Sequence, residues 1–135
     1  MDSVDNDRMA IAGHCMGGRV SFLGAASIEV FKCNVAYYSG NMFKAMGSGD
    51  APPFEKLGNL RGPAIGFFGG DDQNPSPDDV AKIDAKLTEQ GIDHEFHSYE
   101  GAGHAFQNFH NPQGYRSAAT ADSMAKMFAW LGKNL

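Results

Sequence analysis

Short apolar stretches alternate along the chain with longer segments in which apolar residues recur at helical spacing. Short apolar runs between polar or glycine-rich turns predict strands at residues 8–14, 34–40 and 64–69, after a polar lead-in at residues 1–8. Residues 94–99, in which Glu95, His97 and Tyr99 alternate with His94, Phe96 and Ser98, predict a fourth strand. Apolar residues at helical spacing predict helices at residues 16–28, 77–90 and 117–133.

This order of elements determines the fold class. Strands that alternate with helices imply a parallel sheet with helices on both faces. We therefore expect an α/β fold with about four mostly parallel strands, in a single domain covering residues 1–135. Residues 41–62 predict a long loop, in which Phe43 and Met46 either anchor the loop to the core or line a pocket.

Composition excludes several classes of function. The 135 residues suffice for one small domain, and 42% of them are hydrophobic, so the chain can bury a core. The net charge of -5 argues against a nucleic-acid partner, which requires clustered lysine and arginine. No apolar run approaches the length of a membrane span, so we expect a cytoplasmic protein with no membrane contact.

The cysteine and histidine pattern predicts neither a metal nor a cofactor. Cys15 and Cys33 fit no zinc-site spacing or disulfide framework, and we interpret both as thiols, with Cys33 structural. His94 and His97 point to opposite faces of one predicted strand and cannot share a metal.

The turn between the first strand and the first helix has the features of a nucleophile elbow. Cys15 occupies its apex, and Gly13 and Gly17, two positions away on either side, are expected to lack bulk because the turn is sharp. The adjacent helix N-terminus favours a thiolate at Cys15. Two alternatives are a phosphate-binding turn and a merely buried cysteine.

Residues with suitable chemistry follow three of the predicted strands. Cys15 follows the first strand, Asp71 and Asp72 follow the third, and His104 follows the fourth. Because parallel strands end at one edge of a sheet, these side chains are expected to converge there. Their chain order is nucleophile, acid and base.

Three motifs carry a resemblance to a known family. They are Gly13-His14-Cys15-Met16-Gly17-Gly18, Gly69-Gly70-Asp71-Asp72 and Gly101-Ala102-Gly103-His104-Ala105-Phe106. Together they resemble the elbow, acid turn and histidine loop of the dienelactone hydrolases, a family of α/β-hydrolases. The resemblance covers nearly the whole chain and implies hydrolysis of small esters or lactones without a cofactor.

The resemblance also assigns roles to individual residues. Cys15 is the expected nucleophile, His104 the general base and acid, and Asp72 the residue that orients the imidazole, with Asp71 as its competitor. The backbone N–H of Met16 is an expected oxyanion donor. The candidate substrate contacts are His14, Phe43 and Phe106, although a packed or solvated His14 is an alternative.

The chain resembles only the carboxyl-terminal half of that family's fold, from the elbow strand onward. The family's second oxyanion donor lies in the earlier half, so a catalytically weak or silent half-domain is the alternative function. An elbow strand with one bare edge also predicts a homodimer formed along or near that strand. Redox sensing through Cys15 is a third hypothesis.

Overall fold

The four strands form one parallel sheet. The computed structural model describes residues 4–135, so part of the polar lead-in expected at residues 1–8 lies outside the described residues. The sheet order is β1-β2-β3-β4, which makes β1 and β4 its edge strands. The strands are β1 (Met9–His14), β2 (Phe31–Tyr37), β3 (Ala64–Gly69) and β4 (His94–Tyr99). This confirms the predicted α/β fold, with four parallel strands and four helices.

Helices cover both faces of the sheet, because a parallel sheet is apolar on both faces and each face must be buried. They are α1 (Met16–Ser27), α2 (Pro53–Lys56), α3 (Pro77–Glu89) and α4 (Ser117–Asn134). One buried apolar cluster brings together residues of α1, α3 and the sheet, including Phe22 and Ile83. The cluster on the opposite face contains Phe67 of β3 and Trp130 of α4.

The start of α3 follows directly from its sequence. The Ser76 hydroxyl accepts a hydrogen bond from the Asp79 N–H, and the Asp79 carboxylate accepts one from the Ser76 N–H. Pro77 stands at the first helical position, where no N–H is needed. The two hydrogen bonds form a capping box, which fixes where the chain leaves the loop after β3.

Two predicted segments differ from the structure. The second strand lies at residues 31–37 rather than 34–40. It ends at Tyr37 because the backbone turns into the left-handed region at Tyr38, with φ 35°. The long loop at residues 41–62 contains helix α2 and a single 3-10 turn, Leu57–Asn59. Leu57 and Leu60 are buried and anchor this segment to the core.

Among residues 4–135, no helix has the length and apolar character needed to cross a membrane.

Candidate functional site

Cys15 occupies a strained turn between β1 and α1. It has φ 57° and ψ −120°, a backbone conformation that non-glycine residues rarely adopt. Its N–H donates to the Tyr37 carbonyl at 3.0 Å, and its own carbonyl accepts the N–H of Gly18 at 3.0 Å. The turn is therefore held by strand β2 on one side and by the first turn of α1 on the other.

Only one of the two glycines expected to lack bulk is needed for this turn. A Cβ on Gly13 would lie 2.0 Å from the Gly17 carbonyl oxygen, so no side chain fits there. A Cβ on Gly17 would meet nothing within 4 Å, and the requirement predicted for that position is wrong. The second tight position is Gly18, whose Cβ would lie 2.8 Å from the Tyr37 carbonyl oxygen.

Asp72 lies in the turn after β3 and is 2% exposed. One carboxylate oxygen, Oδ1, accepts the N–H of Asn74 at 2.8 Å, and the other faces His104. Asp71, the alternative acid, is exposed and uses its N–H to bond the Ala102 carbonyl at 2.9 Å. Its backbone thus joins the acid turn to the histidine loop, and the carboxylate that faces His104 is that of Asp72.

His104 bridges the acid and the thiol. Its Nδ1 lies 2.8 Å from Asp72 Oδ2, and its Nε2 lies 3.1 Å from Cys15 Sγ. A hydrogen on Nδ1 donates to the carboxylate, which leaves Nε2 as the acceptor for the thiol proton. Three residues separated by up to 89 positions in the chain therefore form one continuous hydrogen-bonded series.

The histidine loop is secured from both sides. Ala102 and Phe106, on either side of His104, are buried in the core. Arg116 ties the two ends of the loop together, since its N–H donates to the Phe106 carbonyl at 2.9 Å and its Nε to the Gly101 carbonyl at 2.8 Å. The loop therefore presents the imidazole from a fixed base.

A small surface pocket lies beside Cys15. Its volume is about 170 Å³, which is below the range of roughly 300–1,000 Å³ typical of ligand pockets. Met16 is the first residue of α1, so its N–H has no acceptor within the helix. The pocket is lined by Cys15, Met16, Arg19, Gly40, Asn41, Asn74 and His104.

The three predicted substrate contacts lie outside this pocket lining. Phe106 is fully buried, and its ring packs against other core aromatics, so it supports the loop and cannot line a pocket. Phe43 packs on Phe54, with the ring centroids 4.6 Å apart. His14 stacks on Tyr37 at 4.4 Å, and its Nε2 lies 2.8 Å from Gln107 Oε1, the packed arrangement left open above.

The structure adds Asn74 to the residues around the site. Its N–H orients the Asp72 carboxylate, and its side-chain Oδ1 accepts the N–H of Asn41 at 2.8 Å. This connects the acid turn to the loop after β2. The available sequence signal is Asp72 itself, because an Asp side chain in a turn commonly accepts the N–H of the residue two positions on.

The remaining histidines and the second cysteine have separate environments. His94 Nε2 lies 2.9 Å from Asp84, and His97 Nε2 lies 2.6 Å from Glu95. Within residues 4–135, no three His, Cys, Asp or Glu side chains are grouped to hold a metal. Cys33 is buried in the core, and this burial raises the pKa of its thiol.

Comparison with known proteins identifies the family. The model of the dienelactone hydrolase family matches residues 1–135. The chain belongs to the dienelactone hydrolase family. The resemblance carried by its three motifs is thereby confirmed.

Curated relatives match along most of the chain. A Salmonella typhimurium protein named "Putative carboxymethylenebutenolidase" is 30% identical over 129 residues, which are 96% of this chain and 47% of that protein. An Escherichia coli K12 protein of the same name is 29% identical over 93% of this chain and 46% of its own length. The chain spans about half the length of the curated relatives it matches.

Solved structures match the fold. A dienelactone hydrolase structure from Klebsiella pneumoniae, described as putative, superposes with a TM-score of 0.85 at 28% identity, over 95% of this chain and 53% of that one. A puromycin-hydrolysing peptidase of Mycobacterium tuberculosis gives a TM-score of 0.80 at 17% identity, over 97% of this chain and 23% of its own. The second likeness concerns the fold alone. The four strands and their helices are therefore part of the α/β-hydrolase fold.

Proposed function

We propose that this chain carries the reacting groups of a hydrolase that cleaves small ester or lactone bonds through Cys15, His104 and Asp72. The main support is the pair of distances in series, 3.1 Å from Cys15 Sγ to His104 Nε2 and 2.8 Å from His104 Nδ1 to Asp72 Oδ2. Such a series matches the nucleophile, base and orienting acid of covalent acyl transfer. Membership of the dienelactone hydrolase family agrees with this chemistry.

The proposed reaction has two stages. His104 Nε2 takes the thiol proton of Cys15 as the sulfur attacks the carbonyl carbon, and the C=O electron pair moves to the oxygen. When the tetrahedral intermediate collapses, the C–O bond to the alcohol breaks, and His104 returns its proton to the departing oxygen. A water molecule then attacks the thioester, with His104 as base, and releases the acid and the thiol.

Asp72 keeps the imidazole in the productive tautomer. The carboxylate accepts the Nδ1 hydrogen and stabilises the imidazolium that forms in each stage. Burial of Asp72 excludes water from this bond, and the N–H of Asn74 fixes the other oxygen. For the negative oxygen of the tetrahedral intermediate, the N–H of Met16 is the proposed donor, because it stands one residue after the nucleophile at the start of α1.

A second candidate function is a folded module that keeps these residues but turns over substrate slowly or not at all. The small volume of the pocket beside Cys15 favours it, because little substrate surface can be enclosed there. The two candidates differ in turnover by the intact wild-type chain.

Turnover of a short-chain p-nitrophenyl ester and of a small lactone tests the proposal. We expect wild-type turnover, and we expect Cys15→Ala and His104→Ala each to reduce it by about a thousandfold or more. Matched controls are Cys33→Ala and His110→Ala, which remove the same side chains away from the site. Turnover that survives Cys15→Ala would reject the role of the thiol, whereas a folded but inactive wild type would favour the silent module.

We also propose that the chain pairs with a second copy along or near β1. Within residues 4–135, β1 pairs only with β2, so its other edge carries unpaired backbone groups. The flanking helices expose apolar side chains, including Val20 of α1 and Phe128 of α4. Light scattering at micromolar concentration is expected to report a dimer that Ala12→Pro weakens, and a stable monomer would contradict it.

A further inference from the structure

Tyr38 departs from the alternation of the strand that precedes it. Successive residues of a strand point to opposite faces, so Tyr37 and Tyr38 would ordinarily lie on opposite sides of the sheet. Both instead belong to the buried cluster on the α4 face, with ring centroids 6.0 Å apart. The φ of 35° at Tyr38 produces this reversal, in a region that L residues rarely occupy.

The reversal brings the Tyr38 ring against the proposed base. Its centroid lies 5.3 Å from that of His104, with an interplanar angle of 64°, and 5.3 Å from that of Phe106 at 74°. Both contacts are edge-to-face, the arrangement that aromatic quadrupoles favour. Tyr38 is 4% exposed, so its ring cannot move aside without disturbing the core.

The backbone around Tyr38 connects the elements that carry the other two groups. The N–H of Tyr38 donates to the Phe67 carbonyl of β3 at 2.8 Å. The carbonyl of the preceding Tyr37 accepts the N–H of Cys15 at 3.0 Å. The ring therefore stands on a segment bonded both to the nucleophile and to the strand that leads to Asp72.

We propose that Tyr38 is a positioning residue, whose ring holds the His104 imidazole in the orientation that bridges Asp72 and Cys15. This inference rests on the proposed function. The His104 side chain is 37% exposed, and whenever its Nε2 contact to Cys15 is broken, the Nδ1 hydrogen bond to Asp72 alone leaves the ring free to swing about its own bonds. An edge-to-face neighbour on a rigid strand end removes that freedom and keeps Nε2 aimed at the sulfur.

The aromatic ring of Tyr38, rather than the charge of its phenol group, orients the imidazole. Burial, with the nearby Cys15 as the second cause, raises the pKa of Tyr38 to about 12, so the phenol stays neutral near pH 7. We therefore expect Tyr38→Phe to keep the His104 imidazole oriented, and a variant without the aromatic ring to lose that orientation.

The test compares Tyr38→Phe with Tyr38→Met, which removes the ring but keeps an apolar side chain. We expect Tyr38→Met to lower kcat/KM for the p-nitrophenyl ester by up to about a hundredfold, because the base is misplaced. Tyr38→Phe is expected to stay close to wild type. The matched control is Tyr99→Met, which removes another ring that packs on Phe106, at 5.3 Å.

A second readout requires no turnover. The rate of Cys15 alkylation by iodoacetamide, measured against pH, reports how well His104 accepts the thiol proton. We expect the profile of Tyr38→Met to move to higher pH, and those of Tyr38→Phe and Tyr99→Met to follow wild type. If the wild type lacks turnover but the alkylation profile moves as stated, the proposed function fails and the positioning role stands.

Two results would overturn the positioning role. One is a folded Tyr38→Met variant with wild-type kcat/KM and a wild-type alkylation profile. If Tyr38→Met does not fold, NMR cross-relaxation between the ring protons of Tyr38 and His104 is measured in the wild-type protein, and the second result is its absence. Its presence supports the contact, and its absence contradicts it.

Discussion

Strands β1 and β3 are each followed by a residue of the proposed site, yet they lie in opposite surroundings. All six residues of β3 are buried, and the strand pairs with β2 on one side and β4 on the other. Only Gly13 is buried in β1, which pairs with β2 alone among the described residues. The acid after β3 is 2% exposed, whereas Cys15 after β1 is exposed.

The difference shows two ways of fixing a reactive side chain. Asp72 is fixed by the sheet around it and by hydrogen bonds to both carboxylate oxygens. Cys15 is fixed by its own turn, because its positive φ and the lack of space for a side chain at Gly13 restrict the backbone to one conformation. The acid therefore depends on the core, and the nucleophile depends on local geometry.

The largest expected effect is the loss of kcat when Asp72 is replaced. Asp72→Asn should reduce kcat for the test ester by about ten-thousandfold, because an amide stabilises the wrong imidazole tautomer. Asp71→Asn is the matched control one residue away, and it should keep nearly full activity because the carboxylate bonded to His104 Nδ1 is that of Asp72. Steady-state kinetics on both variants show which carboxylate orients His104. A larger loss of kcat in Asp71→Asn would assign that role to Asp71.

The next largest effect is the loss of folding stability when an isoleucine is shortened to alanine in β3 or in β1. Ile65→Ala in β3 should lower the free energy of unfolding by about 2–5 kcal/mol, since the side chain is fully buried. Ile11→Ala in β1 removes the same atoms from a partly buried site and should cost roughly half as much. Urea unfolding of both variants checks the order. Equal losses would show that β1 is as enclosed as β3.

A smaller effect is expected at the elbow. Gly13→Ala should cost about 1–3 kcal/mol and also reduce activity, because its Cβ would collide with the Gly17 carbonyl oxygen. Gly17→Ala should be neutral or should stabilise by up to about 1 kcal/mol, because the position is open and alanine favours a helix. Thermal unfolding measures both changes. A destabilising Gly17→Ala would restore the requirement originally expected there.

The last comparison changes no residue. At pH 8 an alkylating reagent should modify Cys15 rapidly and leave Cys33 unreacted, because burial raises the pKa of the Cys33 thiol and closes it off from the reagent. Mass spectrometry should count one modified thiol in folded protein and two after unfolding. Fast labelling of Cys33 in the folded state would mean that the core around β2 opens readily.

Much of the fold could be predicted because local signals agree with the global arrangement. The short apolar run of β3 predicts a buried strand, and the capping box at Ser76 and Asp79 specifies the start of α3. The convergence of Cys15, Asp72 and His104 followed from a rule about parallel strand ends, not from any single residue.

The sequence predictions that the structure contradicts failed for physical reasons. The end of β2 depends on a left-handed Tyr38, and nothing in the sequence predicts a positive φ at a tyrosine. Phe106 is a predicted substrate contact, but tertiary packing turns its ring into the core. The Gly17 requirement came from the motif, whereas the clash at Gly13 depends on where the α1 backbone passes.

The most direct test of the central claim is to trap the acyl group on the chain. Wild-type protein quenched in acid during turnover of a slow ester should carry one acyl group, as a thioester on the peptide that contains Cys15. Cys15→Ala should carry none. An acyl group on another residue, or turnover with no covalent species in either protein under conditions that trap a known thioester, would contradict the account.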